Sequence, residues 1–210
     1  MPFRMSKSEL RRLNLIGSAT RRREYLLSRS LIRHALNENF ECPKSDWIIS
    51  EVPGSPPVIE NLPRQYYFSL SHSKSCIVFA MSNCPVGVDI EFMSRQRNFE
   101  RLAEMFMNPA ELDILRSDSV AQTEYFYRLW SAKEAYYKSL LPVEQAPVSL
   151  SDIAHADLTK GKVNRQLVEA LSSEFSFATV TKSRPDSISC QSYLSDKNPL
   201  PKEIGSKLQH

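Results

Sequence analysis

The chain has 210 residues, of which 41% are hydrophobic and 24% charged, enough apolar material for one large globular domain or two small ones. Its net charge of +3 is too small to argue for nucleic acid, and its longest apolar runs, such as CIVFAM, fall far short of the roughly 20 residues of a membrane helix. The N-terminus lacks the apolar core of a secretory signal, and Cys42, Cys76, Cys84 and Cys190 lack CxxC or CxxH spacing, so a cytoplasmic protein with reduced thiols is expected.

Residues 8–38 read as helix, with Tyr25, Leu26, Arg29, Ile32, Arg33 and Leu36 recurring at helical spacing. Their basic cluster, SELRRLNLIGSATRRREYLLSRSLIR, is either a solvated face opposite Leu26, Leu27, Leu31 and Leu36 or a surface for an anionic partner. CPKSDWIISEVPGSPPVIENLP then alternates short strand-like pieces with Pro and Gly turns. QYYFSLSHS, SCIVFAMS and PVGVDIEF are rich in aromatic and β-branched residues between short polar breaks, which predicts an antiparallel meander.

SDSVAQTEYFYRLWSAKEAYYKSLLP is the strongest helix signal, with Ser119 or Asp118 as candidate N-cap and Pro142 as stop. VSLSDIAHADL and FSFATVTKSRPDSISCQSYL read as strands flanking a helical NRQLVEALSSEF, and the polar residues 199–210 as a fraying tail. Two rounds of helix followed by strands suggest an α+β chain of two similar halves.

Chemistry concentrates in three places. Strand side chains alternate, so in PVGVDIEF the acids Asp89 and Glu91 share one face while Val88, Ile90 and Phe92 share the other. Such a pair either holds a divalent cation or faces water. In the long helix the apolar stripe Phe126, Leu129, Trp130, Tyr137, Leu140 is interrupted by Lys133 and Glu134, and Lys138 follows Glu134 by four. This is either an ordinary helical salt bridge or a third acid completing an all-oxygen magnesium site, with lysines offsetting phosphate charge. SLSHS, with Ser71, His72 and Ser73 entering a turn, suits either an anion or a structural turn histidine.

The order RRREYLLSRSLIRHAL, GSPP, FSLSHS, GVDIE, MFMNPAE, FYRLWSAKEAYYK, over about residues 21–138, resembles the 4'-phosphopantetheinyl transferases of the larger single-chain Sfp type, which include the enterobactin-synthase-associated enzymes. The resemblance implies an α+β fold of two pseudo-symmetric halves, each a small antiparallel sheet packed with helices, with coenzyme A and Mg2+ in the cleft between them. The halves would be 1–87 and 88–198, before the tail 199–210. It implies Asp89, Glu91 and Glu134 as magnesium ligands, with Asp89 also facing the coenzyme, and Glu111 as a further acid near the site.

By the same resemblance Glu134, directly or through a water, would take the acceptor proton, and Lys138 would stabilise the breaking diphosphate bond. Lys133 and Lys138 would contact phosphates, Ser71 and His72 would hold the 3'-phosphate, and Arg23 and Arg29 would contact a phosphate or the adenine end. The implied reaction moves 4'-phosphopantetheine from coenzyme A to a serine of an acidic apo acyl or peptidyl carrier protein, releasing 3',5'-ADP, in a monomer without nucleic acid or membrane partner. Ser55, where many relatives carry a basic residue, and the absence of a Gly-rich segment after Lys138 depart from the family pattern. Another Mg2+-dependent phosphate enzyme, such as a hydrolase, and a non-catalytic coenzyme A or carrier-binding relative are the rival readings.

Overall fold

The structure is a computed structural model that describes residues 4–40, 47–52, 55–74, 76–94, 99–117 and 121–182. Its contacts divide the chain into two compact units, Met1–Arg64 and Gln65–His210. The boundary expected at 87/88 instead falls inside a strand of the second unit, because the strands on both sides of it pack together. Among the described residues no helix is long and apolar enough to cross a membrane.

In the first unit, helix α1 (Lys7–Leu15) starts at a capping box in which Ser6 and Glu9 satisfy each other's backbone N–H groups. Helix α2 (Ala19–Asn39) follows a break at Ile16, Gly17 and Ser18, with Ser18 as N-cap. Strands β1 (Ile49–Ser50) and β2 (Val58–Ile59) pair antiparallel.

The buried face of α2 differs from the expected leucine stripe. Leu26 and Leu27 are exposed, whereas Ser28, Arg29, Ile32, Arg33 and Leu36 are buried. The reason is electrostatic. Glu9 is fully buried and receives both Arg33 guanidinium nitrogens at 2.8 and 2.7 Å, while Arg29 Nε donates to Glu51 at 2.7 Å. Arginines can sit inward here because Arg33 meets Glu9 in fork geometry and Arg29 directs two nitrogens at one Glu51 oxygen.

The second unit begins with the hairpin β3 (Tyr67–Ser73) and β4 (Cys76–Ser82), followed by β5 (Val86–Phe92). Helices α3 (Phe99–Ala103), α4 (Pro109–Ser117), α5 (Gln122–Ser139) and α6 (Pro142–Gln145) come next. A 3-10 turn at Leu150–Asp152, helix α7 (His155–Thr159) and strands β6 (Gln166–Leu171) and β7 (Phe175–Thr181) complete the described part. These small antiparallel sheets packed with helices make the chain α+β.

The meander stops after two strands. Strand β5 leaves β4 and joins a three-stranded antiparallel sheet in the order β5-β7-β6. One face of that sheet buries Val88, Ile90, Ala170, Phe175 and Phe177 with Cys76 of the hairpin. On the other face Ala178 and Val180 pack against Ala132 and Ala135 of α5. Small residues on both surfaces let the helix lie close to the sheet.

Two segments change type. QLVEAL, expected to be helical, forms β6, because pairing with β7 from Ser176 to Thr181 outweighs its weak intrinsic preference. VSLSDIAHADL, expected to be a strand, forms the 3-10 turn and α7. Helix α5 follows Ala121 without a side-chain cap; Ser119 and Asp118, like Cys42, Cys190 and residues 183–210, lie outside the described residues.

Candidate functional site

As the end strand of its sheet, β5 carries N–H groups that β7 does not reach. The serines of FSLSHS meet them. Ser69, Ser71 and Ser73 alternate on one face of β3 and accept, respectively, the N–H groups of Val88 (3.1 Å), Ile90 (3.3 Å) and Phe92 (3.0 Å). This side-chain stitching holds the hairpin against β5 where a ladder would otherwise run.

Opposite the hairpin, Gly87 brings α5 into contact with β5. A Cβ there would overlap the Ala135 carbonyl oxygen and lie 2.5 Å from the Ser139 nitrogen, so only glycine admits the helix backbone at this depth. The close approach delivers Trp130, Glu134 and Lys138, one helical turn apart, to Asp89 and Glu91.

Leu70, Ser71, His72, Asp89, Glu91, Trp130, Glu134 and Lys138 line one open pocket of about 280 Å³. Asp89 is 2% exposed; its Oδ1 receives Ser71 Oγ–H at 2.8 Å and Lys138 Nζ at 2.7 Å. Its Oδ2 is buried without a hydrogen-bond partner. Glu91 receives Ser73 Oγ–H on Oε2 at 3.0 Å and Trp130 Nε1–H on Oε1 at 3.2 Å. The indole is held edge-on to Phe106, ring centres 4.8 Å apart.

Burial pushes the Glu134 carboxyl above its ordinary range; Lys138, 4.0 Å away, pulls it down, and the charges of Asp89 and Glu91 push it up. All three acids therefore feel one another. Hard oxygen donors on one pocket wall and a buried, unsatisfied Asp89 Oδ2 fit a divalent cation such as Mg2+. As the side chains stand, Lys138 is the cation on Asp89, and among the described residues no three acids are gathered closely enough to ligate an ion.

The other expected contacts are placed differently. Lys133 is absent from the pocket lining. It is fully buried, its Nζ donating to Glu111 Oε2 at 2.5 Å and to the Phe106 carbonyl at 2.8 Å. Burial lowers its pKa and Glu111 partly restores it. Lysine 133 and glutamate 134 are neighbours on a helix, so they point about 100° apart, and only one can face the pocket. Glu111 itself caps α4 through the Asn108 N–H and accepts the His155 N–H at 2.8 Å, so it is a structural hub.

Arg29 is buried against Glu51 and does not present a free guanidinium, while Arg23 is exposed on α2. Both belong to the first unit. His72 is exposed at the pocket wall. Trp130 was not singled out from the sequence as a site residue, and Ser73 only as part of a turn that could suit an anion. The available signals were the alternation of serines in SLSHS and the position of Trp130 one turn before Glu134.

A family model described as the 4'-phosphopantetheinyl transferase superfamily matches residues 85–192, half of the chain. The chain belongs to this superfamily. Among curated members of the superfamily, it is 36% identical over 117 residues to the 4'-phosphopantetheinyl transferase psf-1 of Bacillus pumilus, covering 55% of this chain and 49% of that one. It is 34% identical over 113 residues to the 4'-phosphopantetheinyl transferase Sfp of Bacillus subtilis, covering 54% and 50%. To the 4'-phosphopantetheinyl transferase AcpT of Escherichia coli it is 32% identical over 143 residues, covering 66% and 68%. The chain thus spans about half the length of the first two relatives. The stretch that matches the phosphopantetheinyl transferase family holds Asp89, Glu91, Glu134 and Lys138 but not Ser71 and His72.

Proposed function

We propose that this member of the superfamily transfers 4'-phosphopantetheine from coenzyme A to a serine hydroxyl of an apo acyl or peptidyl carrier protein. The carrying observation is the convergence of Asp89, Glu91, Glu134 and Lys138 on one pocket, with a buried Asp89 oxygen lacking a partner. Three carboxylates and an ammonium suit a diphosphate ester that must be gripped with its charge neutralised.

In this reading the acceptor oxygen forms a bond to the β-phosphorus, and the bond from that phosphorus to the bridging diphosphate oxygen breaks. 3',5'-ADP leaves with the electron pair. Glu134 takes the serine proton; a carboxylate whose affinity for protons is raised by burial is better suited to this than a solvated one. Lys138, on a flexible stem beside Asp89, can exchange its carboxylate for the diphosphate as charge builds there. Mg2+, when bound by Asp89, Glu91 and Glu134, would offset the remaining diphosphate charge.

His72, exposed beside the pocket, is the side chain of SLSHS offered to the 3'-phosphate. The acceptor is an acidic carrier matched by the exposed Arg11 and Arg12 of α1. The reading retains two similar halves, a monomer and a cytoplasmic setting.

The test is to incubate the protein with coenzyme A, Mg2+ and a panel of apo carriers, and to quantify 3',5'-ADP alongside carrier mass. Release of one 3',5'-ADP per modified serine supports transfer. Free phosphate without carrier modification would instead indicate a hydrolase, and coenzyme binding with neither product a non-catalytic relative.

A further inference from the structure

Ser71 and Ser73 of SLSHS suggest themselves as anion donors, but their protons are already committed. A hydroxyl has one proton and two lone pairs. Ser71 Oγ accepts from Ile90 N–H at 3.3 Å and from Lys138 Nζ at 3.4 Å, and gives its proton to Asp89 Oδ1 at 2.8 Å. No capacity is left for a phosphate oxygen. Ser73 repeats the arrangement, accepting from Phe92 N–H at 3.0 Å and donating to Glu91 Oε2 at 3.0 Å.

The pattern follows from strand geometry. Ser71 and Ser73 each bind the N–H of the residue after an acid, which brings the hydroxyl beside that acid's side chain. The N–H bond fixes the oxygen, so the hydroxyl proton turns away from it and toward the carboxylate. Ser71 thereby pins Oδ1 of Asp89, leaving the partnerless Oδ2 as the oxygen available to a ligand. Ser73 pins one oxygen of Glu91 while Trp130 holds the other. Ser69 supplies an internal comparison: it accepts Val88 N–H in the same way at 3.1 Å, but the preceding residue is Gly87, which offers no carboxylate.

We propose that Ser71 and Ser73 are positioning residues for the acids, orienting Asp89 and Glu91 toward a divalent cation, and that neither contacts coenzyme phosphate. This rests on the magnesium part of the proposed function. It gives the SxSxS alternation two tasks, stitching the hairpin to β5 at all three serines and aiming carboxylates at two of them.

The experiment compares Ser69→Ala, Ser71→Ala and Ser73→Ala by Mn2+ titration calorimetry, and by 3',5'-ADP binding in metal-free buffer. All three variants lose a stitch; only the latter two lose a carboxylate donor. Expected is a fall in Mn2+ affinity of about 10- to 100-fold for Ser71→Ala and Ser73→Ala, the usual effect of removing a group that orients a metal ligand. Ser69→Ala is expected to bind Mn2+ as the unaltered protein does, and 3',5'-ADP affinity to hold in all three.

Ser73→Thr, which keeps the hydroxyl at the half-buried end of the row, is expected to restore Mn2+ binding and keeps the question open to measurement if Ser71→Ala fails to fold. Equal Mn2+ affinity in all three alanine variants, or loss of 3',5'-ADP binding in Ser71→Ala with Mn2+ binding intact, would overturn the inference while leaving the transferase reading standing. Absence of Mn2+ binding by the unaltered protein would overturn the inference together with the magnesium reading, whatever the carrier assay showed.

Discussion

Gly87→Ala is the smallest change that probes how the acids and Lys138 are brought together. The added carbon would stand 2.5 Å from the Ser139 nitrogen, and restoring an ordinary contact of 3.4 Å needs a shift of about 0.9 Å; the overlapping Ala135 oxygen needs more. Both neighbours are backbone, so no rotamer change relieves the clash and α5 itself must withdraw. Overpacking of this kind costs about 1–3 kcal/mol of stability. The same shift carries Lys138 away from Asp89, from 2.7 Å to beyond hydrogen-bonding distance, and a misplacement of about 1 Å can cost ~100-fold in rate. Urea unfolding reads the first effect, and the initial rate of carrier modification at saturating coenzyme A reads the second. A variant with unaltered stability and an unaltered rate would show that α5 does not lie against β5 at this residue.

Lys133→Met leaves the Glu111 carboxylate buried without its ammonium, a loss of about 3–5 kcal/mol in urea unfolding, and adding Glu111→Gln should recover part of it; a surface-like loss below about 0.5 kcal/mol would contradict the burial of the pair. Because the folded-state pKa of Glu134 is raised, the unfolded chain ionises first as pH rises, and stability falls from the ordinary glutamate range upward. In metal-free buffer Glu134→Gln should therefore be more stable than the unaltered protein at pH 7, with the gap closing below about pH 4.5; a gap independent of pH would exclude a raised pKa. Arg11→Glu with Arg12→Glu should slow association with an acidic carrier and flatten its salt dependence, read by stopped-flow mixing, while coenzyme binding is unchanged; unchanged association would remove α1 from carrier recognition.

Much of the site was legible because strand alternation and helical spacing are strict. Asp89 and Glu91 had to share a face, and Glu134 and Lys138 had to sit one turn apart. Lys133, which the family resemblance assigns to a phosphate, pairs instead with Glu111 in the interior, because consecutive helical residues diverge and Glu134 takes the pocket side. The leucines of α2 misled for a related reason. Helical spacing allowed two neighbouring stripes, and the inward one was chosen by Glu9 and Glu51, acids from distant parts of the unit that no local pattern reveals. Likewise QLVEAL could become a strand only once β7 was available to pair with it. Long-range pairing was also hidden in SLSHS, whose serines look like an anion loop until β5 supplies the N–H groups that claim their lone pairs.

Intact-protein mass spectrometry of an apo carrier, after incubation with coenzyme A, Mg2+ and either the unaltered protein or Glu134→Gln, bears most directly on the transfer chemistry. The unaltered protein should add one phosphopantetheine to the carrier, mapped to a serine, and Glu134→Gln should add none within the same time while remaining folded. An equal yield from both would contradict the role of the converging acids, and no adduct from the unaltered protein with any carrier would contradict transfer itself.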